Sequence, residues 1–431
     1  MLGLNTRLKQ LEEEGKQIQI GLIGAGQMGK GMVSQMSLMK GMKPSLVIDI
    51  DVENAIKAYT LTGVKKEDIV VAKKLQDVNY AMEKGKFVVS DNADLAVKAN
   101  LIDAVVDATG VPDVGAKIAM ESILNRKHIV MLNVETDVVI GPILKKMADN
   151  AGVIYTGTAG DEPGAVKELY DFADGMGFDI VAIGKGKNNP VNREANPDSV
   201  REQALKSGVS PKMLACFKDG TKTMVEMTAM ANSMGFIPDI RGGHGPIGKV
   251  HELPEMFKLK EEGGILNKYK IVDYVNGVAP GVFIIVTTKL PQIHHEMQYL
   301  SMGSGPNYVL YRPYHLCSLE TPLTAARAYI YKEPTIAPMD GKPIAETLTI
   351  AKKDMNRGER LDGIGGFTVY GSIDTYEKAR KENAVPLGLI NKNAVLTKDV
   401  KKGQLITYDM VDIDRSTLIY KLRSLQEELI G

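Results

Sequence analysis

The stretch Gln17–Gly31, QIQIGLIGAGQMGKG, constrains this chain more than any other. A short apolar run (Ile18, Ile20, Leu22, Ile23) feeds into Gly24-Ala25-Gly26-Gln27-Met28-Gly29, a G-x-G-x-x-G set placed where a strand should turn into a helix. Gly24 allows the tight bend, Gly26 lets backbone approach a pyrophosphate, and Gly29 lets helix and strand pack closely. The helix N-terminus then offers free N–H groups and a positive dipole end to phosphates. Glycine turns after strands also occur with no ligand, so context decides. One helix-length later a second apolar run, Leu46–Ile50, ends among Asp49 and Asp51, about where an acid grips the adenosine ribose of a dinucleotide.

A chain of 431 residues exceeds the size at which one core keeps growing, so two or three domains are expected. Lysine plus arginine balance aspartate plus glutamate, 53 against 53. With no net charge and no basic run, nothing points to nucleic acid or to an anionic membrane surface. An anionic small-molecule substrate needs only a local cationic pocket. No apolar run approaches the ~18 residues of a membrane-crossing helix. The N-terminal MLGLNTRLKQLEEEGK reads as a short amphipathic helix, not the apolar core of a signal peptide. Cys216 and Cys317 alone make neither a disulfide framework nor a zinc site, and a cytoplasmic location is the simplest expectation.

The first ~155 residues alternate short apolar runs with helix-like segments, the pattern of a parallel sheet. Beyond the first two runs come Lys86–Ser90, Ala104–Thr109, Ile129–Leu132 and Val153–Tyr155. In such a sheet the ligand crevice lies past the carboxyl ends of the strands. That gathers Gly24, Ala25, Gly26, Gln27, Met28, Gly29, Asp49, Asp51, Thr109, Gly110, Asn133 and Glu135 on one rim as the expected cofactor-binding set, with an ordinary loop start the competing reading for Thr109-Gly110.

From 156 to about 340 the character changes. Glycine-rich polar knots (Gly157–Gly164, Gly184–Pro190, Gly242–Pro246 and Tyr311–Glu320) separate strand-like runs such as Val282–Thr287 and Tyr308–Tyr311, which suggests a mixed sheet. Several knots carry candidate chemistry. Asp161-Glu162-Pro163 pairs carboxylates that suit a general base or a divalent cation, and equally reads as a helix start. Lys187 could donate a proton or neutralise a developing alkoxide, with Asn188 and Asn189 fixing hydroxyls; Lys185 fits a solvated turn better. His244 lies between glycines. Arg312 could clamp a phosphate or carboxylate or make a structural ion pair, with His315 near it in sequence. Glu226, in Met224-Val225-Glu226-Met227, is expected on an alternating strand pointing inward. His294-His295 reads as a surface pair.

The last ~90 residues repeat themselves. Lys353-Asp354-Met355-Asn356-Arg357-Gly358 matches Lys398-Asp399-Val400-Lys401-Lys402-Gly403, each followed by an apolar position, as suits a small β-clip. Arg415–Leu429 then reads as a closing amphipathic helix with Leu418, Leu422, Leu425 and Leu429 on its stripe.

Taken together these motifs resemble the homoserine-dehydrogenase-like oxidoreductases that carry a C-terminal SAF domain, and within them the 1-deoxy-D-xylulose 5-phosphate reductoisomerase-like (second-class reductoisomerase) family. The resemblance runs from the glycine loop through Asp107–Gly110, Met131–Glu135, Gly160–Pro163, Gly184–Pro190, Thr223–Met227 and Arg312–His315 to the Lys-Asp-x-x-x-Gly repeat. It implies an α/β chain: an N-terminal doubly wound Rossmann domain (1–155), a central α+β substrate and dimerisation domain (156–340), and a SAF-like β-clip module with its closing helix (341–431). It also implies an NAD(P)-dependent oxidoreductase acting on a sugar phosphate or related polyol carbonyl, a divalent metal as an option, and a homodimer or larger homo-oligomer. One departure matters. The segment after the second run is Val47-Ile48-Asp49-Ile50-Asp51-Val52-Glu53, acidic where that subgroup is basic, which favours NAD over NADP. It keeps open an NAD-dependent dehydrogenase of a hydroxy acid or homoserine-like substrate. A non-catalytic cofactor-sensing regulator is the alternative from another class.

Overall fold

A computed structural model describes residues 3–430, which divide into two compact units. The first comprises Met1–Asp161, Leu316–Asp340 and Thr417–Gly431; the second comprises Glu162–His315 and Gly341–Ser416. The three-part division expected from sequence is thus redistributed. The segment Leu316–Asp340 falls in the first unit, and the segment Gly341–Ser416 falls in the second.

The first unit holds seven strands: β1 (Ile18–Ile23), β2 (Met42–Ile48), β3 (Ile69–Val71), β4 (Phe87–Ser90), β5 (Ala104–Asp107), β6 (His128–Met131) and β7 (Tyr155–Gly157). They pair in the order β3-β4-β2-β1-β5-β6-β7, all parallel. This is a doubly wound α/β sheet whose strand order reverses between β1 and β5, the place such sheets use for ligands. The runs read from sequence match β1, β2, β4, β5, β6 and β7 within a few residues. β3, an edge strand of three residues, is the apolar run Ile69-Val70-Val71, which the sequence reading did not single out and which is only partly buried.

The closing helix, Leu418–Leu429, packs in this unit, but not by the expected leucine stripe. Its buried residues are Ile419, Leu422, Arg423 and Gln426, whereas Leu425 and Leu429 are exposed. The polar pair has a reason. Pro142 lies inside the helix Val134–Ala151 and interrupts its hydrogen-bond ladder. Gln426 accepts from the Ile143 N–H at 3.1 Å, while Gln426 and Arg423 both donate to the Val139 carbonyl, at 3.2 and 3.1 Å. A second helix thereby supplies bonds around the proline.

The second unit is built on a mixed sheet of β8 (Asp179–Lys187), β9 (Ile271–Asn276), β10 (Val282–Thr287) and β11 (Tyr308–Arg312), ordered β11-β10-β8-β9. Helices Glu162–Gly175 and Thr221–Met234 bury one face with Ile183, Val272, Tyr274, Val282 and Ile284; the other face packs Ala182, Val275, Phe283 and Ile285. Two expectations are corrected here. Gly184–Pro190 is not a loop throughout, because strand β8 runs to Lys187. Thr223–Met227 is not a strand but part of the helix Thr221–Met234, in which every residue except Lys222 is buried. A helix buried on all sides, with its polar residues buried among the apolar ones, shows no 3.6-residue period, and a short segment of it then reads as a strand.

The remaining strands, β12 (Ala345–Ala351), β13 (Val369–Thr375), β14 (Val395–Leu396) and β15 (Val411–Asp412), form two antiparallel pairs. The sequence repeat appears here as two turns gripping each other. Met355 and Val400 exchange both backbone hydrogen bonds, at 3.0 and 2.9 Å. Asp354 accepts from the Lys402 N–H at 2.8 Å while Asp399 accepts from the Arg357 N–H at 2.7 Å. Gly358 and Gly403, at φ +91° and +79°, take the left-handed conformation each turn requires. This region is tied to the helix carrying Glu226: Asn232 accepts from the Ile344 and Ala345 N–H groups at 2.8 and 2.9 Å. Buried Lys352 pairs with Asp219 at 2.8 Å. Among the described residues no helix is long and apolar enough to cross a membrane.

Candidate active site

In the first unit the three loop glycines answer to different causes. Gly24 has φ +102°, and a Cβ there would lie 2.7 Å from the Ala108 carbonyl oxygen. On Gly29 a Cβ would fall 2.0 Å from the Gly24 carbonyl oxygen. Both are glycine because the fold leaves no room. Gly26 is different. Its φ of −66° suits any residue, and a Cβ would meet nothing within 4 Å. It also stands at the N-cap of Gln27–Met36 with no side chain capping that helix, so the first-turn N–H groups are left to another acceptor. Neither packing nor backbone angle gives a reason for glycine there.

Asp49 follows β2 directly. It accepts from the Ala25 N–H at 2.7 Å and the Asp51 N–H at 2.9 Å, so it stands against the glycine loop. Asp51 instead caps the helix Val52–Thr60, accepting from the Glu53 N–H, a structural duty. Of the two acids, Asp49 is the one set against the glycine loop. Gln27 and Met28 are exposed, and Gly110 takes φ +64° after β5. The rest of the expected rim is turned inward. Buried Asp107 accepts from the Thr109 N–H and hydroxyl at 2.9 and 2.7 Å and from the Asn133 amide at 3.0 Å. Asn133 also caps Val134–Ala151, and Glu135 is buried. Burial raises the Asp107 carboxyl above its ordinary range.

The second unit gathers a charged cluster. Lys185 in β8 has side-chain exposure of only 6%, and its ammonium lies 2.6 Å from Glu162, the first residue of its helix. It also hydrogen-bonds Glu226, in the middle of the buried helix. Lys222, one turn before Glu226, stands 3.9 Å from it, and His315 Nε2 stands 3.4 Å from Glu162. Burial alone would pull the Lys185 ammonium down, but the carboxylates of Glu162 and Glu226 outweigh it and hold it above its ordinary value. Lys187, two residues on and so on the same face, is also buried but lacks a carboxylate partner. Its ammonium donates to the Phe217 carbonyl at 2.8 Å. Burial, reinforced by Lys185, lowers it below the ordinary lysine value.

The cluster is thus centred on Lys185, which sequence reading placed in a solvated turn, with Glu162, Glu226 and His315 around it. Asp161 immediately precedes Glu162 and is buried in the first unit. Asn188 and Asn189 lie past the end of β8 and bond to each other at 2.9 Å. Arg312 ends β11, bonds Glu168 at 3.1 Å and stacks over Tyr314. His244 is drawn elsewhere: Nε2 pairs with Asp239 at 2.7 Å, and its N–H donates to buried Asp273 at 2.9 Å. His294 is half-buried against Tyr308 and the Thr288 carbonyl, while His295 is exposed. Period-two spacing could have flagged Lys185 alongside Lys187; nothing local could have shown that Glu226 would meet it.

Residues 160–321 match the family described as oxidoreductase DRL, catalytic domain. A comparison with curated proteins finds no match. Among solved structures the chain is similar to a probable dehydrogenase from Thermotoga maritima at 13% identity, covering 73% of this chain and 90% of that one, with a TM-score of 0.42. Scyllo-inositol dehydrogenase from Lactobacillus casei, solved with NAD(H) and scyllo-inositol, gives 14% identity, 69% and 76% coverage and a TM-score of 0.38. Levoglucosan dehydrogenase, in complex with NADH and levoglucosan, gives 15% identity, 64% coverage of both chains and a TM-score of 0.33.

Proposed function

We propose that this chain is an NAD(P)-dependent oxidoreductase that prefers NAD and interconverts a carbonyl and a hydroxyl on a small, polar substrate. The observation that carries the reading is Gly26, open on the side of its missing Cβ and heading a helix without a capping side chain, beside an acid at Asp49. Gly24–Gly29 would hold the pyrophosphate and Asp49 the ribose, and a nicotinamide bound there supplies or accepts the hydride. The match of residues 160–321 to an oxidoreductase catalytic domain supports the same reading.

The second unit's residues handle charge and protons. Lys185, fixed between Glu162 and Glu226, is a cation that does not move when charge develops near it, which is electrostatic stabilisation at no reorganisation cost. Lys187, with its ammonium lowered and no carboxylate against it, is the proton carrier to the substrate oxygen. His315 beside Glu162 can pass a proton to the cluster. The finer substrate is a sugar phosphate of the reductoisomerase kind; Asp49 favours a second reading, an NAD-dependent hydroxy-acid dehydrogenase. The test is titration of the full chain with NADH and NADPH, followed by nucleotide oxidation with 1-deoxy-D-xylulose 5-phosphate and with pyruvate. Tighter NADH binding and turnover of one carbonyl compound are expected. Binding of neither nucleotide sinks the reading and leaves a regulator of some other ligand. A Lys187→Met protein that folds and keeps near-normal turnover removes that lysine's role alone.

A further inference from the structure

One side chain on the Lys185 face has no place in the chemistry above. β8 and β9 run parallel with Lys185 opposite Tyr274 and Lys187 opposite Asn276, so all four side chains rise on the same side of the sheet. Tyr274 retains 7% exposure. Three other deeply buried tyrosines place their hydroxyls on protein partners: Tyr59 on the Pro44 carbonyl at 2.9 Å, Tyr155 on Asp137 at 2.7 Å, and Tyr308 beside His294 at 3.0 Å. The Tyr274 hydroxyl bonds to no described residue. Nor is its oxygen among the side-chain atoms sealed from solvent without a partner, so this hydroxyl keeps an opening through which an outside acceptor or donor can reach it.

The loop over this phenol is shaped to it. Gly243 and Gly245 take φ +72° and +56°. Asp273, buried beneath the loop, accepts from the His244 and Gly245 N–H groups at 2.9 and 3.1 Å. A Cβ on Gly245 would lie 2.3 Å from the phenol oxygen, so only glycine lets the loop lie there while the hydroxyl keeps its position. The charges acting on the phenol are Arg193 and Asp273, which oppose each other.

We infer that Tyr274 is a substrate-binding residue, its hydroxyl hydrogen-bonding an oxygen of the substrate on the face that carries Lys185 and Lys187. The inference rests on the oxidoreductase reading for what the substrate is, and on the unpartnered phenol for where it binds. The test is Tyr274→Phe in the full chain, beside Tyr155→Phe as reference. Thermal unfolding should leave Tyr274→Phe at or above the wild-type midpoint and lower Tyr155→Phe, which loses its bond to Asp137. A drop for Tyr274→Phe equal to that of Tyr155→Phe means the hydroxyl already has a partner in the protein, and overturns the inference. With 1-deoxy-D-xylulose 5-phosphate or pyruvate as carbonyl probe, kcat/KM should fall roughly five- to tenfold, the worth of one neutral hydrogen bond, with NADH binding unchanged. Unchanged kcat/KM on a probe that wild type reduces also overturns it. A wild type that binds no nucleotide counts against the functional reading instead, and the thermal comparison still decides Tyr274.

Discussion

In the first unit, nearly everything that shapes the glycine turn lies in one continuous stretch from Ile18 to Asp51, the backbone at Ala108 beside Gly24 being the exception, and each residue meets neighbours close in sequence or on an adjoining strand. In the second, Lys185 meets Glu162 from the start of one helix and Glu226 from the middle of another, while His315 arrives after β11. One site is a local backbone shape whose side chains are mostly absent; the other is a set of charges that exist together only once the unit has folded. The first can be lost without unfolding and the second cannot easily be touched without cost. That asymmetry makes the two separable by mutation.

The sharpest way to break the comparison uses two glycines of the same loop. Gly29→Ala drives a Cβ into the Gly24 carbonyl, and the expected outcome is loss of folded protein, seen by circular dichroism. Gly26→Ala meets nothing; its melting curve should match wild type while NADH affinity falls by about 100-fold or more. If Gly26→Ala binds NADH normally, the open side of that glycine is not a phosphate seat.

Next in size is Lys185→Met. Removing the ammonium leaves two buried carboxylates without their shared partner, a loss of about 3–5 kcal/mol by denaturant unfolding, and turnover should fall by ~10²–10⁴. Lys185→Met combined with Glu226→Leu should recover much of the stability and none of the turnover. Recovery of both would make the cluster a packing device.

Asp49→Asn should then reduce the preference for NADH over NADPH by about tenfold in measured Kd, whereas Asp51→Asn should leave that ratio alone, since asparagine is an equally good helix cap. The smallest effect concerns pH. Burial raises the Asp137 carboxyl from 3.8 to about 6 despite the Tyr155 hydroxyl donating to it. The folded state therefore binds a proton more tightly than the unfolded one, and this group's contribution falls as pH rises from about 4 to about 6. Asp137→Asn should flatten the unfolding free energy across that window; an unchanged slope would assign the pH dependence elsewhere.

How much of this was legible in the sequence follows the same division. The parallel sheet, the glycine turn and the acid after β2 were readable because a period of two, glycine punctuation and a fixed spacing are local signals. Asp49 and Asp51 could not be told apart, since a helix cap and an acid set against the glycine loop draw on the same residue type. The helix Thr221–Met234 was misread because a fully buried helix has no polar face to reveal its period. Lys185 was passed over for Lys187 because its counter-charges are remote in sequence. The Lys-Asp-x-x-x-Gly echo was visible as a repeat, but only the fold shows that its two copies cap each other.

The repair of the Pro142 helix by Arg423 and Gln426 carries a consequence for how the molecule is made. Arg423 and Gln426 stand at least 283 residues beyond Val139 and Ile143, with which they bond. A ribosome that has synthesised the whole seven-stranded sheet therefore still holds a helix whose bonds around Pro142 are unmade. They form only once the segment from Thr417 has been translated and has returned to this unit.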